Sequence, residues 1–197
     1  MTASVSPFAP AAERPPVHRV LGAVGLLAAP AFFLQWAGTA GVPATGGGAA
    51  LVGLAYLIGF ACSAVGMRAL RVTGRGRGAA TIFGIQMVAL VLAAGQQLQD
   101  LAGRHPLGDA AYRVTDVAWP FSHVFMLVVG VAVLRAGVWR GWRRWAPLAC
   151  GLVLPLSFVP AAIWGHAAMG AAFCPGTALA FGALGLALVT TRQADAR

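Results

Sequence analysis

The chain has 197 residues, of which 59% are hydrophobic and 10% charged, with a mean hydropathy of +0.77. A soluble domain carries roughly 25% charged residues, so too few charges remain here to cover a water-facing surface. The net charge is +9, yet the 14 basic residues are all arginines, and nearly all of them sit in short loops between apolar runs. That pattern marks topology determinants and argues against a nucleic-acid face; no nucleic-acid partner is expected.

Lysine and asparagine are absent, while Gly, Ala, Arg and Pro abound. These abundant residues have GC-rich codons, which points to a bacterium and so to its inner (cytoplasmic) membrane. Cys62, Cys150 and Cys174 fall in three different apolar segments without CxxC or Cys/His spacing. Neither a disulfide framework nor a zinc site is expected from them.

Residues 1–17 hold Pro7, Pro10, Pro15 and Pro16 among small residues and read as a disordered cytoplasmic tail. Six apolar segments follow, at about 19–37, 50–70, 78–98, 118–137, 147–165 and 168–190. Each is close to the ~20 residues that cross a hydrocarbon core at 1.5 Å per residue. The expected fold is all-α: one integral membrane bundle of six transmembrane helices over residues 18–192, with a short cytoplasmic tail at 193–197. Gly38-Thr39-Ala40 resembles a small-residue cleavage site, but the preceding run exceeds the 7–15 apolar residues of a signal peptide. The first segment is therefore expected to be retained.

Loop charge gives the expected orientation. With the N-terminus inside, every arginine except Arg104 and Arg113 falls on the cytoplasmic side, while Asp100, Asp109 and Asp116 fall outside. Such a bias predicts an N-in/C-in, multi-pass protein of the cell membrane. The cytoplasmic stretch Trp139–Trp145 alternates tryptophan with arginine, as an interfacial anchor facing anionic lipid does. The long outer connection, 99–117, has Leu107, Ala111, Val114 and Val117 at helical spacing and predicts a short helix on the membrane surface.

Polar residues inside apolar segments are costly and therefore informative. Gln86, Gln97 and Asp100 share one face of the third segment, with Ser157 and Thr177 at similar mid-depth to Gln86 in the fifth and sixth. Together with Asp116 they are the candidates for a ligand pocket. His123 and His166 lie toward the same outer side and are the candidate haem ligands, since two imidazoles on different helices suit haem iron. No metal site and no catalytic residue is proposed from sequence. Ala55, Gly59 and Ser63 recur every four residues in the second segment and predict a close helix contact, either internal or in a homo-oligomer.

Three functions fit these features. The first is a non-enzymatic ligand- or lipid-binding bundle, or a membrane assembly protein. The second is a membrane-embedded haem/redox protein using the outer histidines. The third is a small transporter or channel using the Gln86 stripe.

Overall fold

The computed structural model of the protein describes residues 16–41, 46–104 and 109–192. The tails expected at 1–17 and 193–197 lie outside these residues, except for Pro16 and Val17, where the first helix already opens. The described residues form helices and turns only.

Six helical spans are long and apolar enough to cross a membrane. Helix α1 (Val17–Ala28) and α2 (Ala31–Gly38) make the first, broken at Pro30. Proline has no N–H for the carbonyl four residues back, so the ladder is interrupted there. It resumes at once, with the Leu34 amide donating to the Pro30 carbonyl at 2.8 Å. The other spans contain α3 (Gly47–Ala69), α4 (Arg77–Leu101), α5 (Ala110–Ala136), α6 (Ala146–Trp164) and α7 (His166–Thr190). A 3₁₀ turn, Gly141–Trp145, leads into α6.

Each span packs against its neighbours in sequence, and α7 returns to α1, which closes a ring. Helices α3 and α7 also meet across the middle. Large aliphatic side chains face outward, including Leu27 at 80% and Leu179 at 76% exposure. A surface of this kind suits contact with lipid tails and not water.

Helices in lipid have no hydrophobic drive to associate and rely on close packing, interhelical hydrogen bonds and lipid entropy. Glycines provide the close packing in reciprocal pairs. A Cβ on Gly130 of α5 would lie 2.6 Å from Leu148 Cα of α6, and one on Gly151 of α6 would strike the Leu127 backbone of α5. Likewise a Cβ on Gly22 of α1 would lie 2.6 Å from Leu188 Cβ, and one on Gly185 of α7 would lie 2.7 Å from the Leu26 amide. Gly59 and Ser63 of α3 press on Ala28 and Gly25 of α1 in the same way. The third residue of that expected stripe, Ala55, is exposed. Steps of four residues drift by about 40° on a helix with 3.6 residues per turn, which carries Ala55 off the contact.

Two other expectations are corrected. Among the described residues no separate surface helix precedes the fourth span, and Leu107 of the expected one lies outside them. Asp109 caps α5, accepting the Ala111 amide at 2.9 Å, and the helix then runs 27 residues without a break. At 1.5 Å per residue it is about 40 Å long and outreaches a hydrocarbon core of about 30 Å. Its first two turns, with Arg113 and Asp116 exposed, are the segment that polarity alone excluded from the span. Trp139 is not an interfacial anchor either. It is 2% exposed and belongs to the core, whereas Trp142 and Trp145 are about half exposed.

The glycine contacts predict opposite signs for one kind of substitution. Gly130→Ala should destabilise the protein by about 1–3 kcal/mol, because its methyl meets rigid backbone. Gly84→Ala has open space around the new Cβ and should stabilise by up to about 1 kcal/mol through helix propensity. Thermal unfolding of both variants in mild detergent checks this; equal shifts would remove the close-packing argument.

Candidate functional site

The ring encloses an aromatic cluster built on His123. His123 is 0% exposed and stands on α5, four residues after Trp119. Its Nδ1 lies 2.9 Å from the Trp119 carbonyl, which can only accept, so Nδ1 carries the proton. Nε2 is then a bare lone pair, and the Tyr56 hydroxyl of α3 donates to it at 3.0 Å. The two rings are nearly parallel, with 7° between their planes. Phe60 from α3, Trp119 from α5, and Phe173 and Phe181 from α7 pack around the imidazole with ring centroids 4.5–5.8 Å away. Phe32 of α2 covers Tyr56 and Trp119. Helices from opposite sides of the ring thus meet here, and aromatic rings fill the axis at this level.

Gln86 of α4 extends this core. It is 1% exposed, and its Nε2 donates to the Ser122 carbonyl at 3.2 Å. Its Oε1 is buried without a hydrogen-bond partner. Gln86 also lines a cavity of about 20 Å³ with Arg68, Thr73 and Met67 among its walls. That volume suits one water molecule.

A second polar cluster lies where α4 ends and α5 begins. Asp100 near the end of α4 accepts from the Tyr112 hydroxyl of α5 at 2.9 Å and from the Gln96 amide. Gln97 donates to Gln96 Oε1 at 2.7 Å, and its side chain presses on Gly53 of α3, where any Cβ would collide with it. Gln99 donates to the Thr115 hydroxyl at 3.3 Å. The network therefore ties α3, α4 and α5 together.

A third set of contacts seals the other end. The Thr191 carbonyl, just past α7, lies 3.1 Å from Nε2 of the buried His18, and Arg143 donates to the Thr190 carbonyl at 3.2 Å. Cations and N–H donors satisfy the orphan carbonyls at a helix C-terminus. Here they also join the first span and the 3₁₀ turn to the last span.

The structure thus splits the residues singled out by sequence. Gln97 and Asp100 do come together, but with Gln96 and Tyr112. Gln86 and His123 share the core, the first through Ser122. Asp116 and His166 are exposed, and no described contact joins His166 to His123. The lone pair through which His123 would bind iron is the one that Tyr56 occupies. Ser157 and Thr177 are buried, and each hydroxyl donates to a carbonyl of its own helix, Val153 and Cys174, at 2.6 and 2.9 Å. Among the described residues no three of His, Cys, Asp and Glu gather as a metal site would require.

Sequence reasoning missed Tyr56, Tyr112 and His18. The chain has only two tyrosines among ten phenylalanines. A buried tyrosine hydroxyl needs a partner, so both positions carried a usable signal.

Three larger grooves among the described residues lie on the flanks. One groove of about 650 Å³ runs between the start of α4 and the end of α5. A second, about 460 Å³ and nearly all apolar, lies between the same two helices toward the end of α4 and the start of α5, lined by Val88, Val117 and Phe121. A third of about 560 Å³ separates α2 from the start of α3.

No protein-family model matches the chain, and neither does any curated protein or solved structure.

The core makes an ordered prediction. Tyr56→Phe keeps the ring and leaves the His123 lone pair buried and bare, at a cost of about 1–3 kcal/mol. Gln86→Leu should cost less, about 1 kcal/mol or under, because it loses one interhelical bond and also removes an oxygen that has no partner. Thermal melts in detergent rank the two. A larger loss for Gln86→Leu would contradict the assignment of Tyr56–His123 as the central pair.

Proposed function

We propose that this chain is a non-enzymatic, lipid-binding bundle of the bacterial cytoplasmic membrane, with both termini in the cytoplasm. One observation carries the reading: the axis is filled by the Tyr56–His123 aromatic cluster, while the grooves open on the flanks. A bundle arranged in this way takes its ligand sideways from the bilayer and does not pass it along an axis. The α4/α5 flank carries two of the grooves, and both fall in the 300–1,000 Å³ range of small-ligand sites.

The chemistry of the interior supports a binding role over a catalytic one. Both nitrogens of His123 and the hydroxyl of Tyr56 are spent on each other and on Trp119. The orientation rests on the arginine bias. Arg68, Arg77, Arg135 and Arg143 belong to the end where His18 meets Thr191, and Asp100 and Asp109 to the opposite end.

Two measurements test the reading. Protein purified in mild detergent should keep bound phospholipid, detected by lipid extraction and mass spectrometry, and should show no haem absorbance. Lipid-free protein that binds none on titration would defeat it. Reporter fusions after residues 74 and 141 should read cytoplasmic, and one after residue 166 extracytoplasmic; the reverse would overturn the orientation.

A further inference from the structure

The larger groove has a chemistry of its own, and the inference drawn from it rests on the lipid-binding reading above. Its floor is apolar: Ile82 of α4 and Leu127, Val128 and Val131 of α5. From Leu127 to Ala136 it follows α5 for about 13 Å at 1.5 Å per residue. Its mouth is polar and positive. Arg135 lines it, is exposed, and comes from the last turn of α5. Across from it lies the first turn of α4, which no side chain caps. Gly78 sits in that turn with open space where a Cβ would be, so a ligand can approach its backbone closely. Arg75 and Arg77, both exposed, flank the same turn. Among the described residues the carboxylates Asp100, Asp109 and Asp116 all belong to the far end of these two helices.

Apolar walls that continue into the bilayer and a cationic mouth at the headgroup level together describe an amphiphile. The mouth calls for an anionic group with acceptor oxygens, since guanidinium forks and free first-turn amides both donate. The walls call for an acyl chain. We propose that the α4/α5 groove is a site for one anionic phospholipid of the cytoplasmic leaflet. Its phosphodiester rests between Arg135 and the first turn of α4, and one chain lies along Ile82, Val128 and Val131. A free phosphate would use the mouth alone and leave the apolar floor without a role.

The test uses the full chain, delipidated in detergent and titrated separately with phosphatidylglycerol and phosphatidylcholine, with bound lipid counted by native mass spectrometry. The wild type should prefer phosphatidylglycerol. Arg135→Gln should weaken phosphatidylglycerol about fivefold, the worth of one arginine near the headgroups, and leave phosphatidylcholine unchanged. Val131→Trp should fill the groove and weaken both lipids; Val131 is already 40% exposed, so the fold tolerates the larger ring. Arg140→Gln removes an exposed arginine outside the groove and should change neither. The site assignment is overturned if Arg135→Gln keeps the wild-type preference, if Arg140→Gln costs as much as Arg135→Gln, or if Val131→Trp has no effect. Each of those results leaves a lipid-binding bundle standing. Failure of the wild type to bind either lipid would defeat the broader reading as well.

Discussion

An imidazole buried away from water must be paired on both of its nitrogens. His123 meets that constraint with the Trp119 carbonyl on one nitrogen and the Tyr56 hydroxyl on the other. The pairing fixes the tautomer, and it joins α3 to α5 across the ring. The rings of Phe60, Phe173 and Phe181 then close around the pair. With the polar atoms of this pair satisfied and the rings packed, the centre of the bundle is a joint between helices. Among the described residues the larger grooves lie on the flanks, two of them between α4 and α5 and one between α2 and α3.

The remaining contacts follow the same economy of partners. At the end of the bundle where α4 stops and α5 starts, Asp100 is held by Tyr112 and Gln96. At the other end the last carbonyls around α7 are met by His18 and Arg143. Between these ends the helices are held by glycine. Gly130 with Gly151 and Gly22 with Gly185 let backbones approach to distances that a side chain would forbid. Polar contacts join α3, α4 and α5 to one another and the first span to the last, and glycine sets how closely the helices approach.

The spans were legible in the sequence because a hydrocarbon core demands about 20 apolar residues in a row, and five of the six expected segments differ from the observed helices by only a few residues at either end. The fourth was cut short because Arg113 and Asp116 look too polar for a span, although a helix can continue past the membrane surface. The polar candidates were legible as a set and not as pairs. Sequence shows that Gln97, Asp100 and His123 lie toward one side; it does not show rotation about each helix axis. Rotation decides that Asp100 meets Tyr112, that His123 meets Tyr56, and that Asp116 faces outward. Trp139 was misjudged for the same reason: its spacing matched the exposed Trp142 and Trp145, but the turn at Gly141 separates it from them.

The central claim is that the axis is closed at His123 and that exchange with the surroundings takes place on the flank. Nitrogen-15 spectra of histidine-labelled protein in lipid bilayers address it most directly. The account predicts that His123 carries its proton on Nδ1, that Nε2 shows the shift of a hydrogen-bond acceptor, and that neither nitrogen receives magnetisation from water. A water cross-peak to the ring, or a proton on Nε2 in place of Nδ1, would mean that the axis is hydrated and that the Tyr56–His123 joint is not what closes it.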